Sequence, residues 1–123
     1  GFSYGAIMSN TVGCQMGDVF RAIAPMAGSG PFSAASCKAP VAAWIAHGTA
    51  DRTVQFSGGE RSRDAWIMKN GCTTMSMPTD PSPCVTYQGC MAGYPVVWCQ
   101  NEGAGHTQPS YGSSAIWKFF SQF

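Results

Sequence analysis

The sequence predicts an α/β fold, a mostly parallel sheet with helices on its faces, and three observations lead there. Two short, mainly apolar runs, Val19 to Ala27 and Val41-Ala42-Ala43-Trp44-Ile45-Ala46, read as strands buried on both sides. Segments with apolar residues at three- and four-residue steps alternate with them. The chemically capable residues fall just past the predicted strand ends, where sites gather in such sheets. A length of 123 residues suits one domain, and 45% hydrophobic with 12% aromatic content supplies a core.

In chain order, Tyr4 to about Cys14 is free of proline and carries Ile7, Met8, Thr11 and Val12 at helical spacing, so a first helix is expected to end near Gly13 or Gly17. The Val19 to Ala27 strand stops at Gly28-Ser29-Gly30-Pro31, and a loop runs on to Cys37. Pro40 opens the second strand, which halts at His47-Gly48-Thr49-Ala50-Asp51. Gly58 and Gly59 lead into a helix over Glu60 to Asn70, with Gly71 as its C-cap. Three prolines make Thr73 to Pro83 an irregular loop. Val85-Thr86-Tyr87 and Val96-Val97-Trp98-Cys99 then pair as a hairpin, and a helix capped by Ser113 or Ser114 presents Ile116, Phe119, Phe120 and Phe123. Core packing is the default for Trp44, Trp66, Trp98 and Trp117, and the seven methionines read as core gap-fillers.

Charged residues are only 11% and the net charge is +1, which argues against nucleic acid as a partner. No apolar run reaches the roughly 20 residues of a membrane helix, so no membrane role is expected. Six cysteines without C-x-x-C or zinc-finger spacing favour disulfides over a metal, and hence an oxidising, secreted setting. Fifteen connectivities are open to six cysteines. The hairpin sets Cys84 nearly opposite Cys99, and the pairing adopted adds Cys14 with Cys37 and Cys72 with Cys90.

Gly1-Phe2-Ser3-Tyr4-Gly5 spells G-x-S-x-G, the nucleophile elbow of α/β-hydrolases, a sharp strand-to-helix turn that exposes the serine Oγ. Such a turn strains the serine backbone, and flanking glycines spare it a collision with the neighbouring strand and helix. The pattern is short, so it needs context. That fold supplies its triad in the order Ser, acid, His. His106 is the one histidine after the candidate acids, in a glycine-rich loop beyond the last strand, where it could serve as general base. Asp51 closes the Val41 to Ala46 strand and could orient the imidazole, with Glu102 as reserve acid. His47 reads as a structural histidine bonding the loop backbone. The Tyr4 N–H, next after the nucleophile, is one oxyanion donor. Phe32 and Phe56, in loops at strand ends, are candidates for gripping an aromatic substrate.

With these residues placed, the sequence resembles the secreted fungal feruloyl esterases, of the esterase and polyhydroxybutyrate-depolymerase group of α/β-hydrolases. The match is carried by Gly1 to Gly5 with Met8-Ser9, Val19-Phe20-Arg21-Ala22, His47 to Asp51, Asn70-Gly71-Cys72, Tyr87-Gln88-Gly89-Cys90, Pro95-Val96-Val97-Trp98 and Gly105-His106. Ala6 departs from the glycine often found there. The resemblance implies a Ser3, Asp51 and His106 triad and no metal or organic cofactor. It also implies a ferulate or cinnamate ester on cell-wall polysaccharide such as arabinoxylan as substrate. By the same resemblance the chain is the carboxyl-terminal part, residues 1–123, of a single catalytic domain. The early strands and second oxyanion donor would lie upstream, so that the chain alone is expected to be weakly active or inactive. Acetylxylan esterase and polyhydroxyalkanoate depolymerase are alternatives within the fold. A non-catalytic fragment or carbohydrate-binding remnant is the alternative of another class.

Overall fold

The computed structural model describes residues 1–123. In chain order the elements are α1 (Tyr4–Gln15), β1 (Ala22–Ile23), β2 (Ala42–Gly48), α2 (Phe56–Lys69), β3 (Ser76–Pro78), β4 (Cys84–Tyr87), β5 (Val96–Asn101) and α3 (Gly112–Phe120), with a 3₁₀ turn at Ala34–Ser36. One sheet runs β1-β2-β5-β4-β3. β1, β2 and β5 are parallel, and β4 and β3 extend the sheet antiparallel.

The centre of the sheet follows from its composition. All seven residues of β2 are buried, because layers cover both of its faces. Ala42, Trp44 and Ala46 point into one core with Val97, Cys99 and, from α3, Ala115 and Phe119. Ala43 and Ile45, one residue out of phase, point into the other with Cys14 of α1, Trp66 of α2, Val96 and Trp98. The two cores lie on opposite faces of the sheet, with Trp44 in one and Trp66 in the other. Between α1 and α2, buried Asn10 accepts the Trp66 indole N–H at 2.9 Å and donates to the Ser29 carbonyl at 3.1 Å, tying both helices to the loop after β1.

Several elements differ from the sequence-based expectation. The Val19 to Ala27 strand shrinks to Ala22–Ile23 with an isolated bridge at Met26, since Pro25 has no N–H to donate and Val19 and Phe20 stand in solvent. The second helix starts at Phe56 and takes in Gly58 and Gly59, which are interior residues where the helix passes close to other groups. Ser76–Pro78 forms an edge strand inside the stretch expected to be an irregular loop, with its one proline at the terminal position an edge tolerates. α3 begins at Gly112 behind Tyr111, without a serine side-chain cap.

Trp117 is 75% exposed, and six of the seven methionines are exposed, Met26 alone being buried. Periodicity marks one face of a helix as apolar but does not say how wide a face the neighbours cover, and α3 buries Gly112, Ala115, Phe119 and part of Ile116. Disulfides join Cys14 to Cys37, Cys72 to Cys90 and Cys84 to Cys99, with Cys84 and Cys99 directly paired between β4 and β5. No helix is long and apolar enough to cross a membrane.

Candidate active site

Residues 1–3 run parallel to the segment after β1. The Gly1 amine donates to Ala24 O, Met26 N–H to Gly1 O and Ser3 N–H to Met26 O, so the turn is clamped from one side up to Ser3. No strand lies on the other side of Gly1 and Phe2. Ser3 then takes φ 57° and ψ −121°, a left-handed conformation that costs a non-glycine residue of order 1–3 kcal/mol. The strain turns the chain abruptly into α1 and leaves Oγ outside the helix. A side chain at Gly1 would run into Gly5 O and Ser9 Oγ, so this glycine is demanded by the turn. Gly5 is different: a Cβ there meets nothing within 4 Å, and the expected collision is absent on that flank. The Gly5 N–H goes to Phe2 O, and those of Ala6 and Ile7 to Ser3 O. The Tyr4 N–H has no backbone acceptor and stands free at the positive end of α1, beside Ser3.

The loops after β2 and β5 are built onto each other. Thr49 N–H donates to Asn101 O, Ala50 N–H to Ala104 O, and Gly103 N–H to Thr49 Oγ1. Gly48 makes this contact possible, because a Cβ there would strike the Ala104 and Gly105 carbonyls. Asp51 ends the first loop with its side chain fully buried, and His106 ends the second. The ring Nδ1 lies 2.8 Å from Asp51 Oδ2, and Nε2 lies 2.9 Å from Ser3 Oγ. With Nδ1–H donating to the carboxylate, Nε2 is left to accept the Ser3 hydroxyl proton. The three side chains form one hydrogen-bonded relay, drawn from residues 103 positions apart in the chain.

Burial opposes ionisation of Asp51. The hydrogen bond from His106 and the N–H groups of Thr53 and Val54, both on Oδ1, outweigh it and hold the carboxyl below its ordinary value of 3.8. His47, equally buried, donates from Nε2 to Val54 O at 2.9 Å and lies 3.3 Å from Asp51 Oδ2, so it bonds the loop backbone and also faces the acid. Gly59 belongs to this arrangement, since any side chain there would overlap the His47 ring. Phe56 sits on α2 with its ring against His47 and Trp98, at centroid distances of 6.0 and 5.8 Å, and so packs in the core as against the open loop position expected from the sequence. Phe32 is 98% exposed in the loop after β1. Glu102 accepts from Thr49 Oγ1 and bonds Gln100, bracing the loop pair away from the His106 ring.

The sequence reading missed Phe2. Its ring lies 4.8 Å from the imidazole, tilted by 38°, and backs the His106 face while the two ring nitrogens are engaged. Only its place beside the nucleophile could have signalled it. No group of three or more histidine, cysteine or acidic residues is arranged to hold a metal ion, and all six cysteines are in disulfides.

Comparison with solved structures aligns 99% of the chain with an esterase, PE8, over 47% of that chain, at TM-score 0.69 and 20% identity. It aligns equally much with half of Arabidopsis thaliana SOBER1, at TM-score 0.64 and 15% identity. The fold is that of the α/β-hydrolases. Among curated proteins, feruloyl esterase D of Neurospora crassa is 33% identical over the whole chain, and feruloyl esterase B of Piromyces equi 31%. A probable feruloyl esterase C of Aspergillus niger is 28% identical over 98% of it. The chain is thus a sequence relative of the fungal feruloyl esterases. It spans about half the length of the Neurospora and Aspergillus relatives, 47% in each, and 26% of the Piromyces one. No family model matches the chain. An α/β-hydrolase places its nucleophile on a strand-to-helix turn and its acid and histidine beyond later strands. Here the strand-to-helix turn at Ser3, the end of β2 and the loop after β5 bring Ser3, Asp51 and His106 within hydrogen-bonding distance of one another.

Proposed function

We propose that this chain is the nucleophile-to-histidine part of a single α/β-hydrolase catalytic domain that hydrolyses carboxylic esters, with Ser3, His106 and Asp51 as its triad. The observation that carries the reading is the unbroken relay from Ser3 Oγ through His106 to Asp51, at 2.9 and 2.8 Å. Ser3 Oγ attacks the ester carbonyl while its proton passes to His106 Nε2, and Asp51 stabilises the imidazolium. The tetrahedral oxyanion accepts the free Tyr4 N–H. A second donor would come from residues preceding Gly1, and each such donor contributes about 3 kcal/mol in the transition state. His106 gives the proton to the departing alcohol, leaving the acyl group on Ser3. Water then attacks, again through His106, and the free acid leaves. No metal or organic cofactor takes part in this scheme.

The names of the relatives support a ferulate ester as the substrate, and the resemblance set out above extends this to esters on cell-wall polysaccharide such as arabinoxylan. Three disulfides support a secreted, oxidising setting. The test is turnover of methyl ferulate beside an acetyl ester by a form extended to the relatives' length. Faster release of ferulate, abolished by Ser3→Ala, is expected. Turnover of the acetyl ester alone would move the reading to an acetyl esterase of the same fold, and turnover unaffected by Ser3→Ala would end it.

A further inference from the structure

Every residue of β2 before His47 is apolar, and the imidazole that follows them is as deeply buried as they are. Burying a polar ring costs free energy unless its N–H is bonded. An apolar side chain of similar size could equally pack beside the Phe56 ring, which meets His47 edge-on at 83°. What the imidazole adds is one donor. Val54 O can only accept, so its contact with Nε2 at 2.9 Å fixes the Nε2–H tautomer. Nδ1 is turned toward Gly59 in the first turn of α2 and has no hydrogen-bond partner.

The donor ends on the residue that also holds the acid. Val54 gives its own N–H to Asp51 Oδ1 at 3.0 Å, beside the Thr53 N–H at 2.9 Å, while its carbonyl accepts from His47. A carboxylate is planar, so the two bonds on Oδ1 decide where Oδ2 points. Oδ2 is the oxygen 2.8 Å from His106 Nδ1. His47 Nε2 also lies 3.3 Å from Oδ2, with the positive end of its N–H dipole beside the charge. We propose that His47 is a positioning residue of the relay: its Nε2–H clamps Val54 and so aims Asp51 Oδ2 at His106. The proposal deepens the triad reading and rests on it for what the relay does.

The turn needs such a clamp. The interlocked loops fix Thr49 and Ala50, where the chain enters Asp51, but reach no further. Beyond Asp51, Arg52 and Thr53 stand in solvent, and His47 is the sole hydrogen-bond partner of Val54 O. The ring is itself backed by α2, which approaches its Nδ1 edge only because residue 59 has no Cβ. Contacts therefore run unbroken from α2 through His47, Val54 and Asp51 to His106 and Ser3.

The test follows the His106 Nδ1–H proton by NMR. Its bond to a carboxylate moves the resonance far downfield and slows exchange with water, and its absence from His106→Ala assigns it. His47→Gln keeps an N–H within reach of Val54 O and is expected to retain both the signal and the rate at which a fluorophosphonate attaches to Ser3. His47→Asn carries the same amide one methylene short. It should lose or broaden the signal and slow attachment about 10- to 100-fold, the range seen when a functional side chain loses the partner that orients it. Gly59→Ala leaves every polar group in place but drives a methyl into the imidazole, and should do the same. It provides the reading if His47→Asn does not fold, with circular dichroism reporting on each variant. Signal and rate unchanged in the folded Asn or Gly59 variants, equal loss in folded His47→Gln, or no signal in the parent would each overturn the proposal. Failure of the triad reading looks different: a parent that shows the His47-dependent signal yet never labels at Ser3 would sink the nucleophile and leave the positioning of Asp51 standing.

Discussion

Around Gly48, Ala50, Asp51 and His106 the molecule is held by short backbone contacts and single polar atoms, whereas β3 and β4 at the other side of the sheet are held by covalent links. In the first region two loops interlock through Thr49, Ala50 and Gly103, and the contact exists only because residue 48 lacks a Cβ. In the second, the Cys84–Cys99 bridge pins β4 to β5 and Cys72–Cys90 closes the loop that carries β3, while Met75 and Met77 stay in solvent. The difference teaches where precision is spent. A relay whose hydrogen bonds are 2.8 and 2.9 Å long tolerates little displacement, while a stapled extension needs only to stay attached.

That contrast can be broken at several points. Replacing either Ser3 or His106 by Ala should lower ester turnover by about 10⁴-fold or more, with the double variant hardly worse, since the two act as one unit. Turnover that falls additively would show that they do not. Gly48→Ala should force the Ala104–Gly105 loop away, reducing turnover about 100-fold as His106 loses its place. Removing the Cys84–Cys99 bridge should do the converse, costing about 2–4 kcal/mol in denaturant unfolding while turnover per folded molecule persists. The opposite pattern in this pair would undo the comparison. Asn10→Ala strands the Trp66 N–H and the Ser29 carbonyl, and is expected to cost about 1–3 kcal/mol of stability. The smallest effect concerns pH. The carboxyl of Asp51 is held below 3.8, so the stability it contributes is present above roughly pH 4 and is lost as pH falls through its lowered value. Melting temperature below pH 4 should therefore fall less steeply in Asp51→Asn than in the parent, with parallel curves above pH 6.

Much of this was readable in the amino acids. The run Val41 to Ala46 announces a doubly covered strand, and the arrangement of Ser3, Asp51 and His106 at element ends follows from the alternation of strands and helices. What stayed hidden has physical causes. Gly58 and Gly59 disguise the start of α2, because close approach to Ser29 and His47 outweighs their poor helix propensity. Prolines disguise β3, an edge strand that does not need every N–H. The exposure of Trp117, Met8 and Met68 depends on what lies beside them, which no local pattern encodes. Phe56 reads as a loop residue until the helix boundary is known, and then its packing on Trp98 follows.

The central claim is that His106 makes Ser3 Oγ nucleophilic, and covalent labelling tests it most directly. A fluorophosphonate should attach to Ser3 alone, as located by peptide mass spectrometry, and the His106→Ala variant should lose the label while keeping its fold by circular dichroism. Labelling that survives in His106→Ala, or that is absent both from this chain and from a form extended to the length of its relatives, would contradict the account.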